Sequence, residues 1–163
     1  MIVVLMGVTG SGKTTIGSLL AKRMQTVFAD ADSYHSAANK AKMAAGHALN
    51  DDDRQPWLES LNALLKGWLA EGGDGVLACS ALKESYRNTL VQRMPVGSVV
   101  FVLLDGSKEL IAERLAERQN HYMNPKLLDS QLATLEMPSD ALRVLNDRAP
   151  EEVVNEIMLH MKA

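Results

Sequence analysis

The stretch LMGVTGSGKTTIG, residues 5–17, constrains this chain more than any other. It sets Gly7, Gly10 and Gly12 between an apolar β-branched run, residues 2–6, and an amphipathic helical pattern that opens at Lys13. A strand, a glycine-rich turn and a helix in that order, with the spacing G-x-x-x-x-G-K-T, form the setting of a phosphate-binding loop. Glycines let backbone N–H groups converge on phosphate oxygens, and the helix N-terminus adds partial positive charge. The expected triphosphate contacts are Gly7, Val8, Thr9, Gly10, Ser11, Gly12, Lys13 and Thr14. Lys13 is placed to reach the β- and γ-phosphates and the Thr14 hydroxyl to ligate Mg²⁺. Thr15 caps the turn or touches the α-phosphate. The expected ligands of this stretch are therefore a nucleoside triphosphate and Mg²⁺.

Downstream, short apolar runs alternate with helical patterns. Strands are expected at 2–6, 26–30, 75–79, 98–104 and 143–145. Helices are expected at 13–24, 36–45, 56–71, 81–94, 107–118 and 151–161, with Pro56 at a first helical position. Continuous apolarity, rather than alternation, predicts strands covered on both faces. The pattern predicts an α/β fold with a parallel, doubly wound sheet and helices on both sides. With 163 residues and no linker or repeat, a single domain over 1–163 is expected.

Several function classes are disfavoured. A net charge of −3 gives no basic footprint for nucleic acid. The one cysteine, Cys79, excludes an intrachain disulfide and any CxxC site. No run reaches the ~20 apolar residues of a membrane span, and MIVVLM lacks the basic flank of a signal peptide, so a cytoplasmic protein is expected. The nine methionines read as core filler.

Within the phosphate-loop class, NKAK (39–42) lacks the aspartate of a guanine-reading motif. The third strand ends in ACSA, without the carboxylate that many ATPases place there. The acids follow the second strand instead, in DAD: Asp30 and Asp32. At that sheet edge a carboxylate holds Mg²⁺ or accepts a hydroxyl proton, which points to a small-molecule kinase. Asp30 is the expected metal-side group and Asp32 the expected proton acceptor, with the two roles exchangeable.

The segments DADSYHSAANKAKMAAGHALNDDDRQPWL (30–58), CSALKESYR (79–87), LDGSKELIAERLAERQNHYM (104–123) and LLDSQLATLEMP (127–138) together resemble the gluconate kinase family in order and spacing. Ala31, Ala48 and Asn120 stand where that family commonly has Gly, Pro and Gly. The resemblance implies a nucleoside-monophosphate-kinase-like fold and a mobile lid, here about 115–127. It also implies transfer of the ATP γ-phosphoryl group to the terminal hydroxyl of D-gluconate, and a homodimer.

A polyol acid needs cations for its carboxylate and polar groups for its hydroxyls. Lys42, Arg54, Lys83 and Arg87 are the cation candidates, and Asp32, His35, Asn39 and Asp52 the polyol candidates. Arg114 and Arg118, one helical turn apart, are candidate phosphate clamps, with Arg118 the expected catalytic partner of Lys13 and Asp32. His121 is placed to touch phosphate or substrate. Two alternatives stay open at this point: another small-molecule kinase such as a shikimate kinase, whose glycine triplet is replaced here by CSALK, and a non-catalytic ATP-binding regulator.

Overall fold

The computed structural model describes residues 1–8, 10–47, 49–116, 126–138 and 141–162. Five strands, β1 (Ile2–Met6), β2 (Phe28–Asp30), β3 (Gly75–Ala78), β4 (Val99–Asp105) and β5 (Leu142–Leu145), form one parallel sheet in the order β2-β3-β1-β4-β5. All five residues of β1 are buried because the first strand runs through the centre. Its side chains alternate between two cores. Val3 and Leu5 join Ile16 and Leu20 of α1 (Lys13–Met24) and Val153, Val154 and Ile157 of α7 (Pro150–Lys162). Ile2, Val4 and Met6 face Trp57, Leu58, Leu61 and Leu65 of α3 (Asp51–Glu71) and Tyr86 and Leu90 of α4 (Glu84–Leu90). Helices thus cover both faces, which is why the strands read as unbroken apolar runs.

The chain leaves β1 toward β2 on one side, whereas β4 lies on the other. That divergence opens a crevice at the carboxyl ends of the central strands, where α/β sheets bind ligands. Close packing of α1 on β2 depends on Gly17. A Cβ there would sit 2.4 Å from the Phe28 ring, so a larger residue would have to displace that ring or the helix that carries the phosphate loop.

Several boundaries differ from expectation. β2 begins at Phe28, with Val27 half exposed. α2 (Ala37–Ala44) is capped by Ser36, whose side chain accepts from Asn39 N. α3 starts five residues before Pro56. Asn50 and Asp53 form a reciprocal capping box, and Asp51, Asp52 and Asp53 all lie in the first turn, where negative charge complements the helix dipole. Pro56 is therefore interior to the helix. α4 is shorter than expected at both ends: Ala81, in a left-handed conformation at φ 44°, stops it reaching back to the strand, and it ends at Leu90, ahead of Arg93 at φ 63°. α5 (Lys108–Ala116) follows β4, and α6 (Lys126–Thr134) forms where no helix was anticipated. Residues 117–125, the centre of the expected lid, lie outside the described residues.

Candidate active site

The carboxyl end of β1 opens directly into the glycine loop. Gly7, Gly10 and Gly12 all have positive φ, and Gly12 at φ 96° serves as N-cap of α1. The first turn of α1 holds no acidic residue, so its partial positive charge stays uncompensated by its own side chains. Lys13 Nζ donates to the carbonyls of Gly7 and Val8, each at 2.9 Å, which draws the ammonium over the loop. Ser11 Oγ is buried with no hydrogen-bond partner among the described residues. An orphaned hydroxyl inside an amide-lined turn suits an incoming phosphate oxygen.

The end of β2 faces this loop. Asp30 Oδ2 accepts from the Thr14 hydroxyl at 3.1 Å, while Oδ1 accepts from Asp32 N at 3.0 Å and caps the short 3-10 turn Ala31–Tyr34. A threonine hydroxyl beside a carboxylate is an oxygen donor set of the kind Mg²⁺ prefers. At the end of β3, Cys79 is fully buried. Burial pushes its thiol up to about 12, so it stays protonated and chemically quiet.

Beyond β2 a polar cluster is built around a tryptophan. Trp57 Nε1 donates to the Ala31 carbonyl at 2.8 Å, and its ring stacks on His35 with centroids 4.1 Å apart. His35 Nδ1 lies 3.3 Å from Asn39 Nδ2, which also donates to the Asp53 carbonyl at 2.9 Å. Burial first, then Arg54 and Lys40, lower the His35 pKa to about 4, so the imidazole is neutral near pH 7. Lys42 pairs with Asp53 at 2.7 Å and holds that carboxyl below its usual range.

The adjoining part of the cluster gathers two cations on one phenol. Arg54 Nη1 donates to the Tyr86 hydroxyl at 2.9 Å and to the Leu49 carbonyl at 2.7 Å. Tyr86 in turn donates to Asp51 at 2.5 Å, and Lys83 reaches the same carboxylate at 3.1 Å. Both cations also lie over the Tyr86 ring, 5.2 and 5.5 Å from its centroid. The Tyr86 hydrogen bond and then the Lys83 one hold Asp51 below the usual carboxylate range.

The shikimate kinase family model matches residues 9–162 of this chain. A solved shikimate kinase from Aquifex aeolicus vf5 covers 99% of the chain and 96% of its own, at 24% identity and TM-score 0.62, a likeness of fold alone. Other relatives are much nearer. The gluconokinase of Gluconobacter oxydans (strain 621H) is 44% identical over 98% of this chain and 90% of its own length. That of Arabidopsis thaliana is 41% identical over 96% and 90%. The chain belongs to the gluconokinase family. A solved gluconokinase from Sinorhizobium meliloti 1021 superposes with TM-score 0.85 at 38% identity, covering 98% of this chain and 90% of that one. The shikimate-kinase-like fold is thus shared broadly, and the gluconokinases mark the branch.

Against that family background, the structure brings Gly7, Val8, Gly10, Ser11, Gly12, Lys13, Thr14 and Asp30 together at one sheet edge, and Arg114 joins them. Its Nη2 donates to the Asn146 carbonyl at 2.6 Å, close beside Gly12. Thr15 is exposed in the first turn of α1, and Asp32 is half-buried beside Asp30. His35, Asn39, Lys42, Arg54 and Lys83 all belong to the polar cluster beyond β2. Asp52 is exposed on α3. Arg87 goes elsewhere: it is buried, and its guanidinium holds the carbonyls of Ala81 at 2.8 Å and Glu136 at 3.0 Å. That contact ties down the left-handed turn at Ala81. Thr9, Arg118 and His121 lie outside the described residues.

Sequence reasoning missed Tyr86, Asp51, Asp53 and Asn146 and gave Trp57 no part in the site. Tyr86 sits three positions after Lys83, a helical-neighbour spacing that was visible. NDDD was legible as a cap signal. Asn146 carried one faint cue, a polar residue at the carboxyl end of the last apolar run.

Proposed function

We propose that this protein is an ATP-dependent gluconate kinase, transferring the γ-phosphoryl group of ATP to the terminal hydroxyl of D-gluconate to give 6-phospho-D-gluconate and ADP. One juxtaposition carries it: a phosphate loop and a cation-bearing polar cluster lie at the same sheet edge, joined through Asp30 and Asp32. The loop amides and Lys13 would hold and polarise the triphosphate, leaving positioning and charge stabilisation as the main work of the protein. Thr14 and Asp30 would hold Mg²⁺, which supplies positive charge against the phosphate oxygens.

In the acceptor pocket, His35 and Asn39 would orient hydroxyls, and Arg54 and Lys83 would face the gluconate carboxylate. Neutral His35 can donate and accept at once, which suits a polyol. Asp32 would take the proton of the attacking hydroxyl, and Arg118 would clamp the transferring phosphoryl group. Lid closure over 115–127 would keep water from competing with the sugar acid. The family likeness extends the proposal to a cytoplasmic homodimer, and no helix among the described residues is long and apolar enough to cross a membrane.

The test is coupled ADP release with D-gluconate, with shikimate and with no acceptor. Gluconate-dependent release far above both others is expected. Preference for shikimate, or equal release without acceptor, would overturn the assignment.

A further inference from the structure

We propose that Asn146 is a positioning residue for nucleotide binding. Its side-chain amide locks the phosphate loop, and its backbone carbonyl docks Arg114 beside that loop. The proposal rests on reading the glycine loop as the nucleotide site.

Asn146 follows β5 directly and is buried. Its own N–H donates to the Asp105 carbonyl at 2.8 Å, so the sheet fixes its backbone. Asp105 is itself held from β5, accepting from Arg143 Nε at 2.7 Å. From this anchored position Asn146 Nδ2 donates to the Ser11 carbonyl at 2.7 Å, a contact that spans 135 residues of sequence and is buried.

The Ser11 carbonyl and the Gly12 N–H belong to one planar trans peptide and point in opposite directions. Holding the carbonyl toward Asn146 therefore aims the Gly12 N–H away from it and fixes the orientation of that loop N–H. The same amide explains the glycine. A Cβ on Gly12 would lie 2.2 Å from Asn146 Nδ2, while Arg114 Nη1 is 3.8 Å from that point. Loop, Asn146 and Arg114 thus form one packed joint, and the last strand sets the orientation of a loop built at the first.

The chemistry required is a short side chain with a hydrogen-bond donor. Aspartate keeps the shape but sets a carboxylate oxygen against the Ser11 carbonyl, two acceptors facing each other. Alanine leaves that buried carbonyl unpaired.

The experiment compares full-length wild type with Asn146→Asp, Asn146→Ala and Asn146→Ser, measuring ADP affinity by titration calorimetry and KM for ATP and for gluconate separately. ADP binding is expected to weaken about tenfold or more in the alanine variant and at least as much in the near-isosteric aspartate variant. KM for ATP should rise in step while KM for gluconate stays within twofold. The serine variant disturbs the fold least and answers the question should the aspartate variant not fold, with intermediate affinity expected. A folded variant with wild-type ADP affinity, or a lowered melting temperature with both KM values unchanged, would overturn the inference. Wild type that binds no ADP would instead overturn the nucleotide-site assignment itself.

Discussion

Thr14 and Asp30, sixteen residues apart, are joined by a 3.1 Å hydrogen bond between the Thr14 hydroxyl and Asp30 Oδ2. It ties the first turn after the phosphate loop to the end of a strand that is two positions away in the sheet. The other oxygen of Asp30 accepts from Asp32 N, so both Asp30 oxygens are engaged, and the two carboxylates are proposed to act differently. Asp30→Asn is therefore expected to raise the Mg²⁺ concentration needed for half-maximal rate, with activity recovering at high Mg²⁺. Asp32→Asn should lower kcat by about 10² or more with no such recovery, as expected for loss of a general base. Rates measured across a Mg²⁺ series decide it, and a reversed pattern would exchange the roles.

Arg54 and Lys83 meet at Tyr86 and Asp51, whereas Arg87 is spent on two backbone carbonyls. Replacing Arg54 or Lys83 by alanine should raise KM for gluconate about tenfold to a hundredfold, the equivalent of a charge-assisted contact of about 1.5–3 kcal/mol. It should also narrow the preference for gluconate over neutral glucose, with little change in KM for ATP. Arg87→Ala should leave that preference alone and lower stability by on the order of 1–3 kcal/mol, because it strands a buried carbonyl. Steady-state kinetics on both sugars, alongside urea melts, separate the two outcomes. A loss of gluconate preference in the Arg87 variant would reassign the carboxylate partner.

His35 should make the protein acid-sensitive. Its pKa in the fold is about 4 against 6.5 for the unperturbed side chain, so between those values the unfolded chain binds more protons than the native one. Stability attributable to this group is intact above pH 6.5 and falls as the pH drops toward 4, by about 3 kcal/mol in total. His35→Phe keeps a ring against Trp57 and removes the titration. Its urea midpoint should fall less than that of wild type between pH 7 and pH 4.5. Parallel losses in the two proteins would show that His35 does not titrate this way.

Cys79, with its thiol pushed up to about 12 by burial, should resist alkylation in the native protein. Iodoacetamide at pH 8 is expected to leave the folded chain unmodified and to label it fully in denaturant, read by intact mass. Rapid labelling of the native protein would mean that the end of β3 opens far more readily than its packing indicates.

The phosphate loop, the parallel α/β sheet and Asp30 beside Thr14 were legible in the sequence. Each depends on local information: glycines that permit the turn, apolar runs that demand two covering layers, and an acid at a strand's carboxyl end. Even α3, read five residues too short, carried its true start in NDDD, where an N-cap and three acids outweighed Pro56. Tertiary structure alone decided which cations share a site. Lys83 and Arg87 lie one turn apart on the same segment and look equivalent in sequence, yet one reaches Asp51 and the other turns inward to Ala81 and Glu136. The choice follows from the left-handed turn at Ala81, whose carbonyl needs a buried donor, and from Tyr86, which offers its phenol to Arg54 across a separation of 32 residues. Asn146 illustrates the same limit. A side chain 135 residues from Ser11 meets it only because the sheet order places β5 beyond β4, at the edge of the crevice that β1 opens.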